Sequence, residues 1–322
     1  MAPNVGPLHF EPFLKPAIWG GTALAAYKNI TTDRTDIGES WEISGYGGRL
    51  SVVDRGEFKG LNINELAERF GEELLGSRVV GRYGRRFPLL VKFISAHDDL
   101  SVQVHPDDAL AARDYNSMGK TELWYIIKTT EEARIVSGVS RDFTPEEFDR
   151  MVGDGTFGEL LEYHDAVPGD IFFIPSGTVH AIGRGTLLVE VQQASDITFR
   201  IFDYNRPGAD GKPRQLHVKE AREALDYNRR GDLHSHIRGD RPVETIKECD
   251  YFKTSRVVVD GEQSLPTAEG SFTIVVCVAG SAVLSAPGMD SVEIPTGDTW
   301  LIPASFQSLT ASGKASLIVT TV

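Results

Sequence analysis

The chain has 322 residues, 41% hydrophobic and 25% charged, with a formal net charge of −13. That balance is the profile of an ordinary globular protein, long enough for two domains. It excludes nucleic acid as a partner, because phosphate backbones call for a basic face, and no run of about 20 apolar residues offers a membrane span; a small anion in a local basic pocket stays open.

The opening Met-Ala-Pro-Asn-Val-Gly lacks the basic and apolar regions of a secretory signal. Cys249 and Cys277 stand far apart, outside any Cys-x-x-Cys pattern. Both features fit a cytoplasmic protein with buried free thiols. In chain order, residues 63–75 place Leu66, Phe70 and Leu74 at helical spacing. Short apolar runs at 87–94, 100–104 and 123–128 then read as strands set apart by Gly, Pro and Asp. Thr144-Pro-Glu-Glu147 is a capping box that opens a helix towards Met151, with a second short helix expected near 157–163. Strands follow at 170–174, 187–192 and 197–204, then an amphipathic helix over 216–227 and polar sequence to about 243. That polar stretch is the expected boundary between domains 1–240 and 241–322. Beyond it, strands are expected at 254–259, 272–278 and 316–321. The chain therefore reads as mainly β, a sandwich or barrel with a few interspersed helices.

A short repeat spans the boundary. Pro168-Gly-Asp-Ile-Phe-Phe-Ile-Pro-Ser176 has the pattern of Thr296-Gly-Asp-Thr-Trp-Leu-Ile-Pro-Ala304: a Gly-Asp turn, a short apolar strand, then Pro. It suggests two similar β-barrels. The first copy runs on to His180, five residues past Pro175; the second has Ser308 at that offset, and residues 261–322 contain no histidine. The C-terminal barrel is thus expected to be free of metal.

Four candidate ligands lie on strand-like segments before the boundary. In Leu100-Ser-Val-Gln-Val-His-Pro-Asp-Asp108, period two puts Ser101, Gln103 and His105 on one face and Val102 and Val104 on the other. Glu122 shares a face with Lys120 and Trp124 in a run so apolar that a buried carboxylate there needs a cation or donors. His180 sits in Ile174-Pro-Ser-Gly-Thr-Val-His-Ala-Ile182. Thr198 and Arg200 share a face of the next strand. Two His, a carboxylate and an amide are a plausible shell for one metal ion. His9, His97, His164, His217, His234 and His236 read as hydrogen-bonded structural residues.

Several longer segments, in order, resemble the type I mannose-6-phosphate isomerases (phosphomannose isomerases), particularly their short bacterial form. They are Ile18-Trp-Gly-Gly21, Gly38-Glu-Ser-Trp-Glu-Ile-Ser44, Phe87-Pro-Leu-Leu-Val-Lys-Phe-Ile94, 100–108, 119–127, 169–183 and Glu190-Val-Gln-Gln-Ala-Ser-Asp-Ile-Thr-Phe-Arg200, together covering roughly 10 to 225. The resemblance implies cupin-type (jelly-roll) double β-barrels and one zinc per chain, held by Gln103, His105, Glu122 and His180. It implies an active-site arginine at Arg200, with Ser101 and Lys120 near the substrate phosphate or the reacting carbons. The implied partner is a small sugar phosphate. The implied reaction interconverts mannose 6-phosphate and fructose 6-phosphate through a cis-enediol. Lys120 is then the candidate proton carrier, Glu190 a weaker one, and Arg200 a charge stabiliser or phosphate ligand. The alternatives are a non-catalytic sugar-phosphate-binding cupin and an isomerase of another aldose or aldose phosphate. Beyond about residue 240 the chain matches the family only loosely, so the C-terminal barrel rests mostly on the repeat, and the chain departs from the family in three further places. The segment between Glu122 and His180 is short, Gly119 stands where some members carry histidine, and Phe199 stands where Tyr is common. No coiled-coil or other assembly signature is present.

Overall fold

In the computed structural model, which describes residues 5–208, 211–229, 231, 233–237 and 239–322, the strands gather into three antiparallel sheets. Residues 1–4 of the opening segment, and parts of the polar stretch at the expected boundary, lie outside the described residues. The first sheet runs in the order His234–His236, Asp170–Ile174, Glu122–Thr129, Thr186–Gln193, Leu89–Ala96, Ile37–Ser44 and Phe13–Gly21. A five-stranded sheet faces it, ordered Phe199–Phe202, Val102–Val104, His180–Ile182, Arg134–Val139 and Leu161–Asp165.

Central strands Leu89–Ala96 and Thr186–Gln193 are buried at every residue, because both faces of their sheet are covered. Period two sorts their side chains. Val91, Phe93, Val189 and Val191 point away from the sandwich, into a core that also holds Phe272, Ile274 and Ile318 from the C-terminal strands. Ile94, Trp124, Ile126 and Leu188 point inward and meet Ile135 and Ile182 of the facing sheet. The five-stranded sheet turns Val102, Val104, Ala181 and Phe199 outward beneath the helices Pro145–Asp154 and Val218–Ala224.

The third sheet is C-terminal except for one strand. Thr273–Ser285, Thr310–Thr321 and Lys253–Ser264 are its long members, and Leu8–His9 joins it by pairing with Thr299–Ile302. Phe87 stacks on Phe272 with centroids 4.8 Å apart. Residues from both sides of position 240 therefore share a sheet and a core.

The mainly β expectation holds, but closed barrels do not form among the described residues. No ladder joins the edge strands Phe13–Gly21 and His234–His236 to the edges Phe199–Phe202 and Leu161–Asp165, so the site-bearing unit is an open sandwich. The C-terminal strands make a single sheet. The expected helix over 63–75 is broken into Ile63–Phe70 and Glu72–Leu75 by Gly71, whose φ of 50° leaves the helical region. The capping box forms with Thr144 and Glu147 as read. The expected helix over 157–163 gives only a 3-10 turn, Phe157–Leu160, before strand Leu161–Asp165 pairs with Arg134–Val139. No helix of the described residues is long and apolar enough to cross a membrane.

Candidate active site

Two rows of side chains meet across the sandwich. On the five-stranded sheet, Arg200, Gln103, His180 and Ser137 are successive Cα partners. On the facing sheet Trp41, Lys92, Glu190 and Trp124 form the corresponding row. Lys120 lies just before its strand, and its N–H donates to the Pro106 carbonyl at 3.1 Å, which ties it to the segment carrying His105. Gly119 permits that approach: a Cβ there would meet the backbone of Asp107 and Asp108 at 2.6 Å. A side chain at position 119 would require the backbone of Asp107 and Asp108 to shift.

The ligand atoms of His105, Glu122 and His180 lie within 4.8 Å of one another, and all three residues are buried. Each imidazole is oriented by a backbone carbonyl. His105 Nδ1 donates to Ile197 at 2.8 Å and His180 Nδ1 to Thr178 at 2.9 Å, leaving both Nε2 lone pairs for the centre. Glu122 places Oε2 3.6 Å from His105 Nε2 and Oε1 3.5 Å from His180 Nε2. Glu122 Oε1 is buried with no hydrogen-bond partner among the described residues. A buried carboxylate with one oxygen facing each imidazole and one of them unpartnered among the described residues fits a divalent cation such as zinc. Gln103 borders the cluster through its amide nitrogen, 3.3 Å from His180 Nε2, while its Oε1 accepts from Ser101 Oγ at 3.2 Å. Three of the four expected ligands thus converge, and the amide of the fourth faces them with its nitrogen.

Lys120 Nζ is 2.5 Å from Glu122 Oε2 and 2.9 Å from His105 Nε2. Burial, then Lys120, pushes the His105 imidazole down to about 3, so it stays neutral. Burial alone would raise Glu122, but Lys120, His105 and His180 outweigh it and hold the carboxyl well below the usual range. Glu190 goes the other way, raised by burial and by the nearby Glu122. Its Oε2 accepts from Trp124 Nε1 at 2.7 Å and its Oε1 lies 2.9 Å from Lys92 Nζ.

A cavity of about 430 Å³ lies beside this cluster, with Ser101, Gln103, Lys120 and Arg200 among its lining residues. The Arg200 guanidinium is half-buried, makes no hydrogen bond among the described residues, and is pushed down by burial and then by Arg214. Glu190, read as the weaker proton-carrier candidate, also lines the cavity. Lys15, Glu39, Lys92, Asp196 and His217 line it too and were not read as site residues. Lys92 was legible by the argument used for Glu122, being the one charge in an apolar strand. His217, read as structural, does accept the Arg200 backbone N–H at Nδ1, at 3.3 Å, but also faces the cavity.

Known proteins match this architecture along its length. The family description "Phosphomannose isomerase type I, catalytic domain" matches residues 8–121, and "Mannose-6-phosphate isomerase, cupin domain" matches residues 243–322. Mannose-6-phosphate isomerase ManA of Bacillus subtilis is 39% identical over 97% of this chain and 98% of its own. Mannose-6-phosphate isomerase of Streptococcus mutans is 31% identical over 97% of each. A crystal structure of the Bacillus subtilis mannose 6-phosphate isomerase superposes with a TM-score of 0.87 at 33% identity, covering 99% of this chain and 100% of that one. A zinc-bound mannose 6-phosphate isomerase structure, 18% identical, shares the fold with a TM-score of 0.81 over 98% of this chain and 99% of its own.

Proposed function

The chain belongs to the mannose-6-phosphate isomerase family, and from that premise we propose that it is a zinc-dependent aldose–ketose isomerase interconverting mannose 6-phosphate and fructose 6-phosphate through a cis-enediol. The observation that carries the reading is the buried Glu122 carboxylate, with one oxygen facing each of two oriented imidazoles and its Oε1 unpartnered among the described residues, beside a cavity lined by Gln103, Lys120 and Arg200. The 430 Å³ cavity is within the range of small-ligand sites. Its cations give an acidic protein the local positive charge that a sugar phosphate needs.

His105, Glu122 and His180 would hold the zinc, with Gln103 as the fourth ligand. When bound, zinc supplies Lewis acidity towards a substrate oxygen or holds that oxygen in place. The rest falls to the chain. Isomerisation takes the C2 proton of the open-chain aldose, passes through the enediol and returns a proton to C1. Lys120 Nζ, at the cluster, is the proposed carrier. Glu190 is the second candidate, because burial and Glu122 move its carboxyl upwards, towards the range a proton carrier needs. Arg200 always carries charge and is a poor base, so its role is to stabilise the negative charge of the enediol oxygens. Ser101 orients Gln103 and faces the substrate. The division into a catalytic unit, 1–240, and a C-terminal cupin-like unit, 241–322, is part of the same proposal, with the metal confined to the first.

Turnover in deuterated water tests the enediol route. Fructose 6-phosphate recovered early in the reaction should carry solvent deuterium at C1. Product formed without any deuterium would point to a hydride shift and contradict the proton-transfer roles.

A further inference from the structure

We propose that Tyr251, in the turn between strands Val243–Glu248 and Lys253–Ser264, positions Lys120 through Asp108, so that the C-terminal unit sets turnover at the site as well as packing beside it. This rests on the reading that Lys120 acts on the substrate of an isomerase.

The chain of contacts is short. Tyr251 donates its hydroxyl to Asp108 Oδ2 at 2.8 Å. The other oxygen, Asp108 Oδ1, accepts the Gly119 N–H at 2.8 Å and the Gln193 side-chain amide at 2.9 Å. Gln193 in turn accepts the Thr121 N–H on its Oε1 at 2.9 Å. Residues 119 and 121, on either side of Lys120, are therefore both held by one carboxylate, directly or through one amide. That carboxylate is itself exposed, and the Tyr251 hydroxyl is the only hydrogen-bond partner of its second oxygen among the described residues.

Tyr251 has its own anchor. Arg82 lies over its ring at 5.4 Å and donates to the Asp250 carbonyl. The turn is thus docked onto the N-terminal unit, and the phenol presents its hydroxyl from a held ring. Gly119 packs against the backbone of Asp107 and Asp108, so a shift of Asp108 moves residue 119 with it. Lys120 Nζ reaches Glu122 and His105 from the next position. A catalytic ammonium displaced by a fraction of an ångström loses rate without losing substrate affinity.

The test is a double-mutant cycle with two readouts. Tyr251→Phe keeps the ring and removes only the hydroxyl. It should lower kcat by roughly tenfold at unchanged KM and zinc content, and speed hydrogen exchange at the Gly119 and Thr121 amides. Asp108→Ala should lower kcat at least as far, and Tyr251→Phe should add nothing in that background. Asp108→Asn keeps an oxygen for Gly119 and Gln193 and should retain most of kcat. Wild-type kcat and wild-type exchange in Tyr251→Phe, or an undiminished further loss in the Asp108→Ala background, overturns the proposal. Should the wild-type chain fail to isomerise sugar phosphates, the functional reading falls separately, and amide exchange at 119 and 121 still decides whether Tyr251 holds this segment.

Discussion

Lys92 and Glu190 are Cα partners on neighbouring strands, and their charged ends meet at 2.9 Å with both side chains buried. Lys92 also lies 3.3 Å from Glu39, whose other partners are Lys15 and the Trp41 indole. A charge run of this kind is costly to bury unless each member is paired. Lys92→Met should take the shared buried cation from two carboxylates and destabilise the fold by about 3–5 kcal/mol, read from denaturant unfolding. A loss below about 1 kcal/mol would show that the carboxylates do not depend on this lysine.

Removing a ligand should empty the centre. His180→Ala should lower zinc affinity sharply and abolish activity while leaving the sandwich folded. Glu122→Gln, which removes the one anionic ligand, should lose metal more readily at low pH. Elemental analysis of the wild type should give one zinc per chain. Full zinc retention with near-normal turnover in His180→Ala would dismiss the ligand set, and a second metal surviving in that variant would dismiss a metal-free C-terminal unit.

Part of this site is legible in the sequence, because strand periodicity puts Gln103 with His105, whereas Lys120 lies just before the strand that begins at Glu122. Strands read from apolar runs, such as 170–174 and 187–192, closely match Asp170–Ile174 and Thr186–Gln193. What the chain hid has physical causes. Ile37–Ser44 carries Glu39 and Glu42 and looks like a surface segment, yet it is buried throughout because Lys92, Lys15 and Lys28 pair those acids. Phe157 and Leu160 have helical spacing, but the strand that follows is fixed by pairing with Arg134–Val139, a long-range contact that no local pattern announces. The contribution of Asp196 and His217 to the cavity depends on how loops after the strands fold back, which has no periodic signature.

Lys120 and Arg200 should separate from the ligands and from each other. Lys120→Met and Arg200→Met should keep the metal. If Arg200 stabilises enediol charge, its loss lowers kcat for mannose 6-phosphate and for free mannose alike. If it holds only phosphate, KM for the phosphorylated sugar rises and free mannose is spared. The expected result for Arg200→Met is the first; an unchanged kcat with the phosphate would assign it to the second.

The metal-free protein should weaken in mild acid. The His105 imidazole is lowered by burial and Lys120 from 6.5 to about 3, and burial-opposed pairing with Lys92 and Lys15 lowers Glu39 from 4.5 to about 2. In both cases the unfolded chain binds the proton more readily. Their contribution is therefore complete above pH 6.5 for His105 and above pH 4.5 for Glu39, and is lost as pH falls towards about 3 and about 2. Chelated protein should show unfolding midpoints that decline steadily below about pH 6.5. His105→Gln should flatten the upper part of that decline, and an unaltered profile would remove His105 as its cause.

The central claim is that this centre turns over a sugar phosphate. The direct measurement is the initial rate of fructose 6-phosphate formation from mannose 6-phosphate, by coupled assay, on zinc-loaded and on chelated protein. The account requires turnover in the loaded protein, its loss on chelation and its return when zinc is restored. Binding of mannose 6-phosphate without any fructose 6-phosphate from the zinc-loaded chain would contradict it, and would leave a sugar-phosphate-binding protein in place of an enzyme.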